Sequence, residues 1–388
     1  DLFGELLEEV DPERDSVLLL APYHRRSERD LTVVGLREAE MLEGAGAGYL
    51  RSASSQRTGY VTLVDVTPTL LGQLGLSRPS SMEGRAFEVL ADDASVDDRV
   101  ESLVTGNEAS RFREHLLVPT SLVIIVAMGV VAALGLMLVP RPGAPSWLRR
   151  AVSGASLFIL ALMPMSYVSR AFPLQDWGLT FYWLFVLLSS LVLAVGVTVG
   201  AYTLNRPRLA LVAMLGLVVA VLTADAVLLN SRLSMSAAFG YSPTGNSRLY
   251  GISNYGLGIF TAAVTVLAGM WASARPEAPD ARRRAQWATV FMLAMLLVIG
   301  APTWGANVGG TMTFASAIVV FTALVFGGKV RWRRLVVLLG AASALALSAF
   351  AAVDLMRPAE QRAHLGRLVE RIGDEGLEPL FSIMERKA

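Results

Sequence analysis

Long apolar segments alternate with short polar stretches along the chain from residue 118 onward. Each segment is close to the about 20 residues that a helix needs to cross a bilayer. The pattern therefore predicts an all-α polytopic membrane bundle of about eight helices. The predicted spans lie at about 118–139, 151–169, 179–202, 208–229, 256–274, 286–302, 311–328 and 335–353.

The residues before 118 follow a different pattern. Residues 1–10 place apolar side chains at helical intervals, whereas residues 16–21 and 31–36 are short apolar runs typical of strands buried on both faces. Residues 60–66 indicate another strand, and the helix predicted after it ends at Gly75. Strands that alternate with helices predict an α/β layer arrangement.

Composition supports the same division of the chain. With 53% hydrophobic residues and a mean hydropathy of +0.50, the chain is typical of an integral membrane protein. Residues 1–119 contain 12 Arg and 22 Asp or Glu, and the remaining residues contain 22 basic and 11 acidic side chains. We therefore expect an α/β domain over residues 1–90, an acidic linker over 91–117, the spans over 118–353 and an amphipathic tail over 354–388.

The basic residues also predict the orientation of the spans. The loops after the first, third, fifth and seventh spans are rich in arginine, whereas the alternate loops contain only Arg170, Arg232 and Arg248. Positively charged loops favour the cytoplasmic side. We therefore expect a multi-pass protein of the cell membrane whose N-terminal domain and C-terminal tail are extracytoplasmic.

The outward loop at residues 230–258 is the best candidate for a polar site, because it places six Gly or Pro residues among Tyr, Ser, Asn and Arg. An ionisable group such as Asp225, in the last turn of the fourth span, is costly there and usually faces a partner or a cavity. Either an Asp–Arg pair seals the bundle, or a guanidinium binds a phosphorylated or glycosylated lipid headgroup. The substrate-binding candidates that follow are Asp225, Arg232, Arg248, Tyr250, Asn254, Asn307 and Asp354.

Composition also excludes several kinds of site. The chain has no cysteine, which excludes disulfides, thiolate zinc sites and cysteine nucleophiles. The chain has only three histidines, so a histidine-rich metal centre is not expected. We expect no nucleic-acid partner, because the basic residues lie in short loops where membrane topology already accounts for them.

Residues 54–71 (SSQRTGYVTLVDVTPTLL) and 81–85 (SMEGR) resemble the C-terminal segment of the alkaline phosphatase superfamily. That superfamily includes sulfatases, phosphoglycerate mutases and membrane-bound phosphoethanolamine transferases. The resemblance implies a truncated α/β domain, the C-terminal part of an alkaline-phosphatase-like fold, followed by the membrane bundle. It also implies phospho- or sulfo-ester chemistry and a divalent metal such as zinc or manganese, and it makes this stretch a scaffold element. We interpret Asp65 as a residue that caps or orients the following helix.

The chain departs from the family where the metal ligands belong. An Asp-His pair normally follows a strand such as residues 16–21, but here the sequence continues Ala-Pro-Tyr-His24-Arg-Arg, so we interpret His24 as an ordinary loop residue and find no metal ligands. The family's nucleophile lies in an N-terminal half. Because the chain starts at Asp1 without an initiator Met and ends without a structural stop, we expect a fragment that lacks this half and is inactive alone.

A second resemblance covers most of the membrane half. Residues 239–256 (FGYSPTGNSRLYGISNYG), the GANVGG stretch, His364-Leu-Gly-Arg and the final MERK resemble bacterial membrane proteins with an alkaline-phosphatase-like outer domain before a multispanning region. This similarity adds His364 to the candidates. Those relatives often have an acidic residue where this chain has Tyr255, which leaves any acid role at that position without support.

Three hypotheses of function follow. The first is a cell-envelope protein that transfers or hydrolyses a phospho-group on an envelope lipid or glycan, with Asp225, Arg248 and Asn254 holding a lipid-linked substrate. The second is a transporter or lipid flippase with Asp225 as its coupling group, and the third is a glycan polymerase or ligase. Membrane lipids, and a lipid-linked phosphate or glycan, are the expected partners. Transport predicts uptake or efflux that depends on Asp225, whereas transfer predicts a headgroup-modified product.

Overall fold

The computed structural model describes residues 2–11, 13–22, 30–38, 47–79, 82, 84–138, 141, 143–245, 248–274, 277–327, 331–358, 361–378 and 381. The chain forms two compact units. The first unit comprises Asp1–Arg111, Pro243–Leu249 and Arg357–Ala388, and the helical unit comprises Phe112–Ser242 and Tyr250–Met356. His24 and the final MERK residues lie outside the described ranges.

The predicted truncated α/β domain of alkaline-phosphatase type is wrong. The described residues are 66% helical and contain only two small sheets, each with two strands. Strand β1 (Val17–Leu20) pairs antiparallel with β2 (Val34–Arg37), and β3 (Gly48–Arg51) pairs antiparallel with β4 (Glu88–Ala91). Antiparallel neighbours pair directly, whereas the layers of an α/β domain require parallel strands joined by crossover helices.

The third predicted strand, at residues 60–66, is also absent from the described chain. A 3₁₀ turn at Leu63–Asp65 leads directly into helix α2 (Val66–Gln73). Thr62 and Asp65 form a reciprocal capping box around this turn, which starts helical structure where the apolar pattern had indicated a strand. The predicted first helix is present as α1 (Leu2–Glu8).

The eight predicted spans are confirmed. The described chain contains eight helices that are long and apolar enough to cross a membrane, so the protein is a multi-pass integral membrane protein. They are α3 (Val96–Leu138), α4 (Ser146–Val168), α6 (Leu179–Thr203), α7 (Arg208–Val227), α8 (Asn254–Ala272), α9 (Ala281–Gly300), α10 (Val308–Val325) and α11 (Trp332–Leu355). Two shorter helices, α5 (Leu174–Trp177) and α12 (His364–Glu375), complete the chain.

Small side chains form part of the helix contacts in the helical unit. Helices α4, α6 and α7 share a buried cluster in which Ala161, Ala194, Ala201 and Ala210 lie beside larger side chains such as Met214. Helices α8 to α11 then pack in succession. Small residues permit the close backbone approach that favours helix association in lipid.

Candidate functional site

Asp225 organises the chain that leaves α7. Its side chain is 1% exposed, and its two carboxylate oxygens accept hydrogen bonds from the backbone N–H groups of Leu233 (2.7 Å) and Ser234 (2.9 Å) and from the Ser234 hydroxyl (2.5 Å). The backbone reverses at Asn230 and Ser231, which adopt left-handed φ values of 48° and 57°. Non-glycine residues rarely adopt such values, so these hydrogen bonds hold an unfavourable turn in place.

Two buried or half-buried arginines bind the carbonyl groups of the same loop. Arg113 of α3 donates to the carbonyl oxygens of Ala237 and Gly240, both at 3.4 Å. Arg170, just after α4, donates to the carbonyl oxygen of Met235 at 3.2 Å. A buried carbonyl group without a partner is costly, so these contacts allow an irregular segment to lie buried against the helices.

Phe239 accepts two further hydrogen bonds through its carbonyl oxygen. The donors are the Tyr167 hydroxyl of α4 (2.9 Å) and the Ser253 hydroxyl at the start of α8 (2.6 Å). The Ser253 oxygen also accepts a bond from the N–H of Gly256 and so caps α8. Within the helical unit, residues 230–242 and 250–258 therefore form a largely closed polar layer rather than an open site.

The α9–α10 loop joins this layer through Asn307 and Gly305. The Asn307 side chain caps α10 by accepting from the N–H of Gly310, and its amide donates to the Ile252 carbonyl (3.0 Å) and the Asn254 side chain (3.1 Å). The Gly305 carbonyl accepts from the N–H of Ile252 at 3.0 Å. Loops that the charge pattern assigned to one side of the membrane thus lie together, and which side they face stays a prediction.

Tight backbone packing explains why glycine occurs in this layer. At Gly251, φ is +85°, and a side chain there would overlap the carbonyl group of Gly305. Only glycine adopts this conformation without strain and leaves room for the neighbouring backbone.

The predicted candidate residues do not all occupy one place. Asn254 and Asn307 are in contact, and Asp225 lies buried beneath the loop. Arg232 is exposed, and its side chain makes no hydrogen bond or ion pair with the residues that the structure describes. Tyr250 is buried in the helical unit, and Asp354 is buried at the end of α11. Arg248 is half-buried and belongs to the first unit. His364 begins α12, and its side chain lies outside the described residues.

Asp65 has an orienting role in the first unit. Its buried carboxylate accepts hydrogen bonds from the hydroxyls of Ser52, Ser54 and Thr62 and from the backbone N–H groups of Thr62 and Arg85. It does not cap α2 through its side chain. The residue that the resemblance marked as scaffold therefore ties three separate segments together.

The amphipathic helix α12 also lies within the first unit. Arg362, just before it, pairs with Glu370 at 3.1 Å. Burial lowers the pKa of Arg78, the nearby positive charge of Arg367 lowers it further, and Glu370 opposes the change. Helix α12 thus groups with residues of the first unit and not with the spanning helices.

The divalent metal implied by the resemblance finds no ligand set in the described residues. No group of three or more His, Cys, Asp or Glu side chains in those ranges could hold a metal ion. The donor set of these residues does not fit zinc or manganese.

An apolar cleft of about 660 Å³ lies between α7, α8 and α9. One stripe of α7, from Val212 to Leu228, forms its length, and α8 and α9 contribute side chains that include Trp271 and Met295. The stripe contains Gly216, Ala220 and Ala224 at four-residue intervals, which place small side chains in one row on the helix. These small residues leave the space that forms the cleft.

Sequence reasoning missed this cleft, although Gly216-xxx-Ala220-xxx-Ala224 was a readable signal. The Gly196-xxx-Gly200 pair of α6 faces open space, as Gly216 does. A side chain placed at either position would meet no other atom within 4 Å in the described chain, so no helix approaches it closely there.

Comparison of the chain with protein-family models, with curated proteins and with solved structures returned no match.

Proposed function

We propose that the protein binds a lipid-linked, phosphorylated substrate of the cell envelope, with its hydrocarbon chain in the α7–α8–α9 cleft, and presents the headgroup for phospho-group transfer or hydrolysis. The observation that carries this proposal is the cleft itself. Its volume of about 660 Å³ lies within the range of about 300–1,000 Å³ that is usual for ligand sites.

The lining of the cleft favours a hydrocarbon occupant. Its wall residues are apolar apart from Thr223, whose hydroxyl is paired with the Met295 sulfur at 3.9 Å. A ligand group that needs hydrogen bonds would lose them on entering such a wall, at a cost of about 2–7 kcal/mol for each group. The cleft therefore suits an apolar chain.

Arg232 supports a phosphate headgroup. It follows Leu228, the last residue of the cleft stripe, by four residues, and it is exposed. A guanidinium offers a planar fork of donors that matches the geometry of a phosphate. The charge pattern of the loops assigns this end of the cleft to the extracytoplasmic face, where an envelope substrate would be handled.

The transporter hypothesis receives less support. A coupling group must change its protonation or its partner during a transport cycle. Asp225 instead accepts three hydrogen bonds from the loop that follows α7. This arrangement favours a structural role for the carboxylate and so favours binding over coupled transport.

Photo-crosslinking tests the proposal. The full chain is reconstituted in vesicles with a phosphatidic acid that carries a diazirine in one acyl chain, and labelled peptides are mapped by mass spectrometry. We expect labelling concentrated on α7, α8 and α9. In Ala224→Trp a large side chain occupies part of the cleft, and we expect labelling to fall roughly tenfold, a loss of about 1.4 kcal/mol in binding.

The matched control is Ala213→Trp, the same change at an exposed position of α7 that does not line the cleft. It should label like the unmodified protein, and all three proteins should elute alike in size-exclusion chromatography. Labelling spread evenly over the eight spans and insensitive to Ala224→Trp would refute the proposal.

A further inference from the structure

We infer that the helical unit contains a binding site for one internal water molecule, in a small polar cavity beside Tyr182 of α6. All residues that line this cavity belong to the helical unit, and none of them lines the apolar cleft. The water site therefore stands apart from the proposed function. Three features support it: the size of the cavity, buried hydroxyl groups without partners, and the balance of donors and acceptors in the lining.

The cavity has the size of one water molecule. Its volume is about 10 Å³, and a cavity needs about 10–15 Å³ to hold one water. Apolar side chains, among them Phe112 and Leu116, form one part of the wall. The polar side chains of the wall are those of Ser169, Arg170, Gln175, Tyr182 and Ser236. A volume this small suits a single water and not a larger ligand.

The Tyr182 hydroxyl needs a partner that the described protein does not provide. Tyr182 is 3% exposed, and its hydroxyl makes no hydrogen bond to any residue in the described ranges. The Thr120 hydroxyl of α3 is a polar neighbour, but the two groups do not meet in hydrogen-bond geometry. A buried hydroxyl without a hydrogen bond is costly, and a water in the adjoining cavity removes that cost.

Ser236 adds a second hydroxyl from the loop that follows α7. It is 3% exposed, and within the part of the chain that the structure describes its hydroxyl makes no hydrogen bond. Its φ of 59° is left-handed, which is rare for a residue other than glycine, and such conformations cluster where ligands bind. Two hydroxyls from different segments of the chain thus border the same small space.

The donors and acceptors of the lining suit water rather than an ion. The Ser169 hydroxyl donates its proton to the Ser166 carbonyl (2.7 Å), so it offers only lone pairs to a ligand. The Gln175 oxygen accepts from Arg170 (3.2 Å), which leaves the NH₂ group of Gln175 to donate. A water molecule both donates and accepts and so can use both groups. An anion would meet the lone pairs of Ser169, and a cation would lie beside the charge of Arg170.

A water in this position connects three segments of the helical unit. Tyr182 belongs to α6, Ser169 ends α4, and Ser236 belongs to the loop after α7. A water-mediated hydrogen bond is nearly as favourable in enthalpy as a direct one. The bridge therefore stabilises the contact between the loop and the helices.

Hydroxyl-radical footprinting tests for the water directly. X-ray pulses generate radicals from internal waters, and these radicals modify the side chains that contact the water. In the full chain in detergent, we expect Tyr182 to be modified several-fold faster than Tyr167, the matched control. Tyr167 is 1% exposed, but its hydroxyl binds the Phe239 carbonyl and it does not line the cavity. Equal modification of the two tyrosines would overturn the inference.

Thermal unfolding of Tyr182→Phe tests the hydroxyl by the sign of its effect. If a water pairs with the hydroxyl, its removal should lower the thermal midpoint by about 2–4 °C. Removal of an unpaired hydroxyl should instead leave the midpoint unchanged or raise it. Ser190→Ala shows this second behaviour as the matched control, because Ser190 is buried on the same helix, has no partner among the described residues and does not line the cavity. A midpoint of Tyr182→Phe equal to or above that of the unmodified protein would overturn the inference.

Thr120→Val separates a bound water from a direct bond between the two hydroxyls. Thr120 does not line the cavity, so this variant should keep the midpoint of the unmodified protein and its rate of Tyr182 modification. A fall in the midpoint as large as that of Tyr182→Phe would identify Thr120 as the partner of Tyr182 and overturn the water site.

Discussion

Replacing Asp65 by Asn should destabilise the first unit locally, because the carboxylate accepts five hydrogen bonds and the amide cannot accept all of them. One carboxylate oxygen accepts from the Ser54 hydroxyl (2.6 Å) and the Arg85 N–H (2.9 Å). The other accepts from the Ser52 hydroxyl (2.7 Å) and from the Thr62 hydroxyl (2.6 Å) and N–H (3.0 Å). Asparagine has one oxygen and one NH₂ group for the same five donors.

The orientation of the asparagine does not rescue the site. The serine and threonine hydroxyls can rotate and accept a bond from the NH₂ group. A backbone N–H can only donate, and each carboxylate oxygen faces one, from Thr62 or from Arg85. One backbone N–H is therefore left facing the NH₂ group in either orientation.

The loss of stability follows from the number of donors left without an acceptor. A buried donor without an acceptor costs about 1–3 kcal/mol, and hydrogen bonds to a neutral oxygen are weaker than those to a carboxylate. We expect Asp65→Asn to lower the free energy of local opening by about 2–4 kcal/mol. Since each 1.4 kcal/mol is a factor of ten, amide exchange in the affected segments should accelerate roughly 10²-fold.

Hydrogen exchange measured by mass spectrometry reads this effect segment by segment. Peptides that contain Thr62 and Arg85 should lose protection, while peptides from α4 to α11 should exchange as before. Asp92→Asn is the control, because Asp92 is exposed and accepts one bond, from the N–H of Ala94. Unchanged exchange at Thr62 and Arg85 in Asp65→Asn would show that the carboxylate does not hold these segments.

Two further predictions concern the helical unit. In Asp225→Asn, the amide cannot accept all the hydrogen bonds from Leu233 and Ser234, and losing one costs about 1–3 kcal/mol. Hydrogen exchange of the amides in that loop should therefore accelerate by tenfold or more. Protection equal to that of the unmodified protein would contradict this role. Asn307→Ala removes the cap of α10 and should lower the thermal midpoint in detergent through a loss of about 1–2 kcal/mol. Asn307→Ser keeps an acceptor for the N–H of Gly310 without placing a second oxygen against the Ile252 carbonyl, and it should lose less. Equal midpoints for Asn307→Ala and the unmodified protein would contradict the capping role.

The membrane half was predictable because its signal is long. Spans of about 20 apolar residues differ from every soluble pattern, and the eight spanning helices lie near the predicted boundaries, except that α3 begins at Val96, within the stretch predicted as a linker. The short runs of the first unit carry less information. A run such as residues 17–20 fits a strand, but nothing in it specifies whether the partner is parallel or antiparallel, and that choice separates an α/β domain from the two small hairpin-like sheets observed.

Asp225 shows where sequence reasoning stops. The cost of a buried carboxylate correctly predicted that it needs partners. From the sequence, an arginine side chain such as Arg232 or Arg248 was the expected partner, because a sequence shows which charged side chains are present but not how the backbone folds. The partners that the structure identifies include two backbone N–H groups, of Leu233 and Ser234, which every residue possesses and which only the fold brings within reach.

The same distinction applies to small residues. Gly196-xxx-Gly200 and Gly216-xxx-Ala220 look alike in sequence, since both place small residues four positions apart. Whether small residues admit a neighbouring helix or leave a cleft depends on where the neighbours lie. On α7, the row of small residues is bordered by large side chains of α8 and α9, including Trp271 and Met295, which leave an open cleft beside it.

These observations connect the closed loop to the proposed site. The N–H of Ser231 donates to the Asp225 carbonyl at 2.7 Å, and the Ser231 hydroxyl accepts from the N–H of Gly251, while Leu233 donates to the Asp225 carboxylate. Both neighbours of Arg232 are therefore anchored, although the Arg232 side chain is exposed. Asp225 thus acts as a positioning residue that fixes the backbone from which the guanidinium extends. If this is correct, Asp225→Asn should weaken labelling by the diazirine-labelled phosphatidic acid more than labelling by the matching diacylglycerol, which lacks the phosphate, because the cleft is intact and only the phosphate contact is displaced. A purely structural role would reduce both equally.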